Sequence, residues 1–220
     1  MSELVDRSEH WPILSHRVEA TGRVCDFVED KVAMPDGDVM TRQWVTHPGA
    51  VAIMALDDHQ RVAVVDQYRH PVAMRLVEPP AGLLDKPGEP PLSAAKRELA
   101  EEAMLAADDW RILVDIFTSP GGLEESIRIY LARGLHPVPH PAGFVVEDEE
   151  LDMDLAWLSL DELVTRIYAG QIENPNMVTG TLALRVAILD GRLDALRPAD
   201  APWPARAVRA ERRKEIEALG

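Results

Sequence analysis

The chain has 220 residues, long enough for one well-buried core plus an appendage and short for two full domains. Its 46% apolar and 28% charged residues are ordinary for a globular protein, while 38 acidic against 23 basic side chains give a net charge of −15 that disfavours nucleic acid and anionic membrane as partners. Cys25 is the single cysteine, residues 1–7 carry no apolar signal core, and the longest apolar run, 50–56, is too short to span a bilayer, so a cytoplasmic location is expected.

In chain order, residues 23–32 and 39–46 read as two strands around the turn Pro35-Asp36-Gly37-Asp38. They are expected to form a small β appendage over residues 1–48. Residues 50–56 and 61–67, rich in Val, Ile and Ala, predict two more strands around Asp57-Asp58-His59-Gln60. A strand near 75–78 leads through Pro79-Pro80-Ala81-Gly82 to a helix that follows Pro90-Pro91, with Ser93 able to cap it and an end near Met104. Strands at 110–118, 127–132 and 153–158 follow, then helices at 159–169 and 175–189, the latter capped by Asn174. Residues 201–220 predict a charged helical tail after Pro202 and Pro204. Strands on both sides of one short helix, with two later helices, predict an α+β chain. Its core, over 49–200, is an α/β/α sandwich with a mixed sheet.

The chemistry concentrates in Arg97-Glu98-Leu99-Ala100-Glu101-Glu102, preceded by Glu89 and Gly82. On a helix, Glu98, Glu101 and Glu102 project to one side, and Arg97 can reach Glu101 one turn on. Carboxylates this close repel one another unless a cation sits among them, and hard oxygen ligands suit Mg²⁺ or Mn²⁺. The alternative for any glutamate cluster is a solvated helix face. His136 and His140 are four apart but flanked by Pro137, Pro139 and Pro141, which disfavours a helical metal pair.

The order of these residues resembles the Nudix box. From Glu89 onward the spacing holds, whereas six residues instead of five separate Gly82 from Glu89, and Met104 stands where the family has its late glycine. The first departure is a loop insertion, and the second puts the end of the helix in question. The resemblance implies the Nudix fold, with Glu98 and Glu102 as metal ligands together with the carbonyl of Ala81. Glu101 is then an auxiliary ligand or the orienting partner of Arg97, the second role being preferred.

Ser119-Pro120-Gly121-Gly122 followed by Glu124-Glu125-Ser126 resembles a segment of ADP-ribose pyrophosphatases, in which a proline at about this distance marks the subfamily. Gln67-Tyr68-Arg69 and Glu78-Pro79-Pro80-Ala81-Gly82 are similar to two further segments of that group. By this resemblance Arg69 contacts phosphate, Glu78 lies near a ribose, and Pro120, Gly121, Gly122 and Glu125 contribute to substrate binding. Arg69 could instead be a surface ion-pair residue, and residues 119–122 an ordinary turn. The resemblance also implies a general base on an acidic loop. Glu150 is the first choice there and Glu149 the second. Trp11 and Trp44 are core or interface residues on their own terms, and Trp44 is the candidate for stacking on adenine across a homodimer. A hairpin alone is marginal in water, so residues 23–46 are expected to pack on a second subunit.

The expected activity is divalent-metal-dependent hydrolysis of ADP-ribose to AMP and ribose 5-phosphate. The rivals are hydrolysis of another nucleoside diphosphate sugar or a damaged nucleotide, and a Nudix domain that binds ligand without turnover.

Overall fold

Extended segments rich in β-branched residues become strands in the computed structural model, which describes residues 4–141 and 154–219. Two units are distinguished by their contacts: Met1–Pro48 with Ser119–Ser126 and Pro202–Gly220, and Gly49–Thr118 with Ile127–Ala201.

In the first unit, β1 (Ile13–Thr21), β2 (Asp26–Ala33) and β3 (Val39–Val45) form an antiparallel sheet in that order. The predicted turn closes β2 on β3, with Gly37 in a left-handed conformation (φ 92°). Sequence reading starts the first strand at residue 23 and leaves β1 unassigned. Of β1 only Ile13 is buried, so the two-residue alternation that reveals a strand is almost absent. The hairpin is therefore not alone: it has a third strand, and helix α4 (Pro204–Glu217) lies against β1, where Glu215 Oε1 accepts from Ile13 N at 3.2 Å.

The second unit carries a mixed five-stranded sheet. Its order is β11 (Arg197–Pro198), β8 (Leu105–Phe117), β9 (Ser126–Pro137), β4 (Ala50–Ala55) and β7 (Ala81–Leu83). β4 runs parallel to β9 and antiparallel to β7. A second, antiparallel sheet has β5 (Arg61–Arg69) between β10 (Asp154–Ser159) and β6 (Met74–Glu78). Every residue of β4 is buried, which requires cover on both faces. Helices α1 (Pro91–Ala103) and α3 (Pro175–Leu189) both pack on β4, and this completes the α/β/α sandwich.

On one face, Ala50, Ala52 and Met54 sit in register with Ile127, Ile129 and Leu131 and join Met177 and Leu184 of α3 in the core. Full burial of each large aliphatic side chain contributes roughly 1.5–3 kcal/mol. Asn174 caps α3 as predicted, its Oδ1 accepting from Asn176 N and Met177 N at 3.0 and 2.9 Å. Helix α2 (Leu160–Tyr168) is closed by a capping box between Ser159 and Glu162. Among the described residues no helix is long and apolar enough to cross a membrane.

Two details of α1 differ from the sequence reading. Its first turn follows Pro90 directly with Pro91 inside the helix, so Ser93 lies within the first turn and is not the cap. Met104 ends the helix in the left-handed conformation (φ 52°, ψ 39°), donating its N–H to Leu99 O. A methionine thus takes the role of the missing glycine, held there by the tight passage into β8. A left-handed residue with a Cβ costs roughly 1–2 kcal/mol, part of which glycine's greater unfolded freedom cancels. Met104→Gly should therefore raise the stability by about 0.5–1 kcal/mol. A urea titration would register this as a higher midpoint at unchanged slope, and a lower midpoint would refute the strain at this position.

Candidate metal and diphosphate site

Helix α1 presents two faces of different chemistry. Ala94, Ala95, Leu99 and Ala103 are buried, and three of these four are alanines, which lets the helix approach β4 and β7 closely. Glu98 and Glu102 stand one turn apart toward β7. A Cβ added to Gly82 would overlap the Glu98 carboxylate, so only glycine leaves room for that side chain against the strand. Glu102 is fixed from the same strand, since its Oε2 accepts from Ala81 N at 2.9 Å. Gly82, Ala81, Glu98 and Glu102 are thereby brought together by one strand–helix contact.

Arg97 is the counter-charge of this centre. Its guanidinium donates to both carboxylate oxygens of Glu89 at 3.0 Å, to Glu98 Oε1 at 2.6 Å and to Glu101 Oε2 at 2.8 Å. The bidentate contact with Glu89 holds that carboxyl below its usual range and is also the main reason that Arg97 is pushed further above its own. Glu101 meets Arg97 from one turn further along the helix. Glu98 responds differently: burial pushes it up to about 7, with the nearby Arg97 opposing the shift.

The residues present fit a divalent cation. Glu98 is a half-buried carboxylate whose charged form a neighbouring cation would favour, and Glu102 and the Ala81 backbone lie on the same side of the contact. Among the described residues no three His, Cys, Asp or Glu side chains converge into a ready metal cage. Two carboxylates and a carbonyl nevertheless suit Mg²⁺, which retains waters and takes substrate phosphate oxygens as its remaining ligands.

Arg69 and Glu78 occupy the paired strands β5 and β6 of the same unit. They form a two-pronged ion pair, Nε to Oε1 at 2.9 Å and Nη2 to Oε2 at 2.8 Å. Glu78 is buried, while the Arg69 side chain is 39% exposed, so the carboxylate aims a guanidinium that still meets solvent. By sequence the phosphate-contacting and ion-pairing roles of Arg69 are alternatives, but the geometry makes them compatible.

Pro120, Gly121, Gly122 and Glu125 belong to the first unit. Gly122 O accepts from Val45 N at 2.9 Å and Glu124 N donates to Val45 O at 3.1 Å, which seats the segment on the end of β3. Glu125 faces His47 at 3.4 Å. Trp44 is 9% exposed; its Nε1 donates to buried Asp30 at 2.8 Å and Arg212 lies over its ring at 4.2 Å. In this unit the ring is packed between the Asp30 carboxylate at its edge and the Arg212 guanidinium over its plane. Glu149 and Glu150 lie outside the described residues.

Glu89 was legible only as a member of the resemblance, and its two-pronged grip on Arg97 had no spacing signal of its own, being eight residues away across a loop. Arg209 and Arg212 of α4 read as a solvated charged face. Instead Arg212 Nη2 donates to Asp30 at 2.8 Å and Arg209 Nη1 to Pro48 O at 2.6 Å.

Residues 45–178 match the NUDIX domain family. The chain is 43% identical over 211 residues to an ADP-ribose pyrophosphatase of Mycobacterium tuberculosis (strain ATCC 25618 / H37Rv), covering 93% of this chain and 100% of that one. It is 37% identical over 166 residues to a methanol dehydrogenase activator of Bacillus methanolicus, covering 76% and 88% of the two. Among solved structures, an ADP compounds hydrolase shares the fold at a TM-score of 0.69 and 19% identity, over 86% of this chain and 100% of that one.

Proposed function

The chain belongs to the NUDIX family, and from that premise we propose that it hydrolyses the diphosphate of ADP-ribose to AMP and ribose 5-phosphate. The observation that carries this reading is the 43% identity to an ADP-ribose pyrophosphatase along the whole of that protein. The Ser119-Pro120-Gly121-Gly122 segment supports it from within the sequence. The setting we infer is cytoplasmic, from the lone cysteine.

Cleavage of a diphosphate needs neutralised phosphoryl oxygens, an activated water and alignment of that water with the leaving oxygen. Glu98, Glu102 and the carbonyl of Ala81 would hold Mg²⁺ or Mn²⁺. When bound, such an ion supplies positive charge at the phosphates and lowers the pKa of a coordinated water. Arg97 keeps Glu101 and Glu89 in place, so that Glu98 and Glu102 are presented from a fixed helix face. Arg69, aimed by Glu78, binds a phosphate oxygen through a guanidinium donor. Glu150 takes a proton from the attacking water as its oxygen bonds to phosphorus and the bridging P–O bond breaks. One water is consumed, and its elements are divided between the two products.

The direct test is a panel of ADP-ribose, ADP-glucose, GDP-mannose, NADH and nucleoside triphosphates, with and without Mg²⁺. ADP-ribose should be the best substrate, turnover should vanish with EDTA, and Glu102→Gln should lower kcat by roughly 10²- to 10⁴-fold. Preference for another diphosphate sugar would redirect the substrate, and full activity of the Glu102 variant would remove that residue from the site.

The base is assigned by a second comparison. Glu150→Gln should depress kcat with KM nearly unchanged, as for a group used only in the transition state, while Glu149→Gln is mild. The reverse pattern would move the base to Glu149, and no effect from either would leave the loop without one.

Exposed apolar side chains on the N-terminal sheet, Leu14, Val18 and Phe27, support a homodimer in which residues 1–48 form a subunit contact. Light scattering at micromolar concentration should give twice the chain mass, and a monomer mass would exclude that assembly.

A further inference from the structure

We propose that Arg209, on helix α4, is a positioning residue for the 119–126 segment, which makes the C-terminal helix part of the substrate-recognition apparatus. The functional half of this proposal rests on the reading that residues 119–126 recognise ADP-ribose. Helix α4 lies outside the residues that match the family, 45–178, and by sequence it is only a charged tail.

The geometry is that of a clamp. Arg209 Nη1 donates to Pro48 O at 2.6 Å, and Arg209 Nε donates to Glu124 Oε1 at 3.3 Å. Glu124 Oε1 also accepts from His47 N at 3.0 Å. One guanidinium therefore joins three stretches of chain: the end of the β3 region, the 119–126 segment and α4. The participants are shielded from solvent, with Arg209 and Glu124 side chains 15% and 12% exposed. Arg213 is a further cation near Glu124, but it stands 3.8 Å away and is 55% exposed, so its attraction is weak and screened. Loss of Arg209 would leave a mostly buried carboxylate poorly compensated, and relaxation of the segment toward water is the direct response.

The planar fork matters as much as the charge. Two donors on one rigid group set the separation between Pro48 and Glu124, whereas a lysine ammonium can neutralise Glu124 without holding both. The neighbouring backbone bonds between Val45 and residues 122 and 124 bring the segment to β3, and the side-chain clamp adds a hold on the Glu124 carboxylate.

The test combines Arg209→Met, Arg209→Lys and Glu124→Gln in the full chain, read by amide hydrogen exchange, melting temperature and ADP-ribose kinetics. In Arg209→Met, amides of residues 123–126 should exchange at least about tenfold faster while those of β4 and α3 are unchanged. KM for ADP-ribose should rise about tenfold, with kcat within about twofold. Arg209→Lys should fall between this variant and wild type. Glu124→Gln should reproduce the effect, and combining it with Arg209→Met should add little, because both remove one interaction. If Arg209→Met does not fold, the other two single variants carry the same readouts.

Unchanged exchange at 123–126, or an increase spread evenly over the chain, would overturn the clamp. A local increase with unchanged KM would overturn its role in recognition. Wild-type protein that does not hydrolyse ADP-ribose would instead refute the substrate reading, and the exchange result would still decide the clamp.

Discussion

The constraint on which the catalytic unit depends is the crowding of negative charge around one arginine. Glu89, Glu98 and Glu101 all place carboxylate oxygens within hydrogen-bond reach of Arg97, which, with Lys86 nearby, keeps this part of an acidic chain from repelling itself apart. The balance is incomplete at Glu98, where burial wins over the arginine and pushes the carboxyl up to about 7. A cation beside Glu98 resolves that conflict. The fold thus carries a local electrostatic cost that a bound cation would relieve.

Glycine at position 82 is the steric counterpart of that charge arrangement. Because the strand has no side chain there, Glu98 lies against it instead of turning to solvent, and Glu102 reaches the Ala81 amide. The motif glycine is therefore less about backbone freedom than about space for a carboxylate. The opposite holds at Met104, where left-handed backbone is required and a methionine supplies it at an energetic cost.

In the other unit, net acidity is managed by helix α4. Arg209 and Arg212 reach inward to Glu124 and Asp30, so residues that composition alone assigns to a solvated face become internal partners. Asp30, fully buried, is satisfied by His16, Trp44 and Arg212 at 2.6 to 2.8 Å. A buried carboxylate with three donors specifies one arrangement of β2, β3 and α4, because any other leaves it unpaired.

Much of this was legible in the chain itself. The β-branched runs marked β4 and β5, the capping residue Asn174 marked the start of α3, and the spacing of Glu98, Glu101 and Glu102 put them on one helix face, because these signals act within a few residues. Strand β1 was hidden, since an edge strand with one buried side chain has no alternation to read. The grip of Glu89 on Arg97, the fit of Glu98 against Gly82, the pairing of Arg69 with Glu78 and the reach of Arg209 to Glu124 join residues from eight to 85 positions apart. Local sequence determined which side chains could do chemistry and on which element each would stand. Only the tertiary structure decided which carboxylate was buried, which arginine faced it and which glycine made room, because burial and partnership are set by chain segments that meet in space without a periodic signal in sequence.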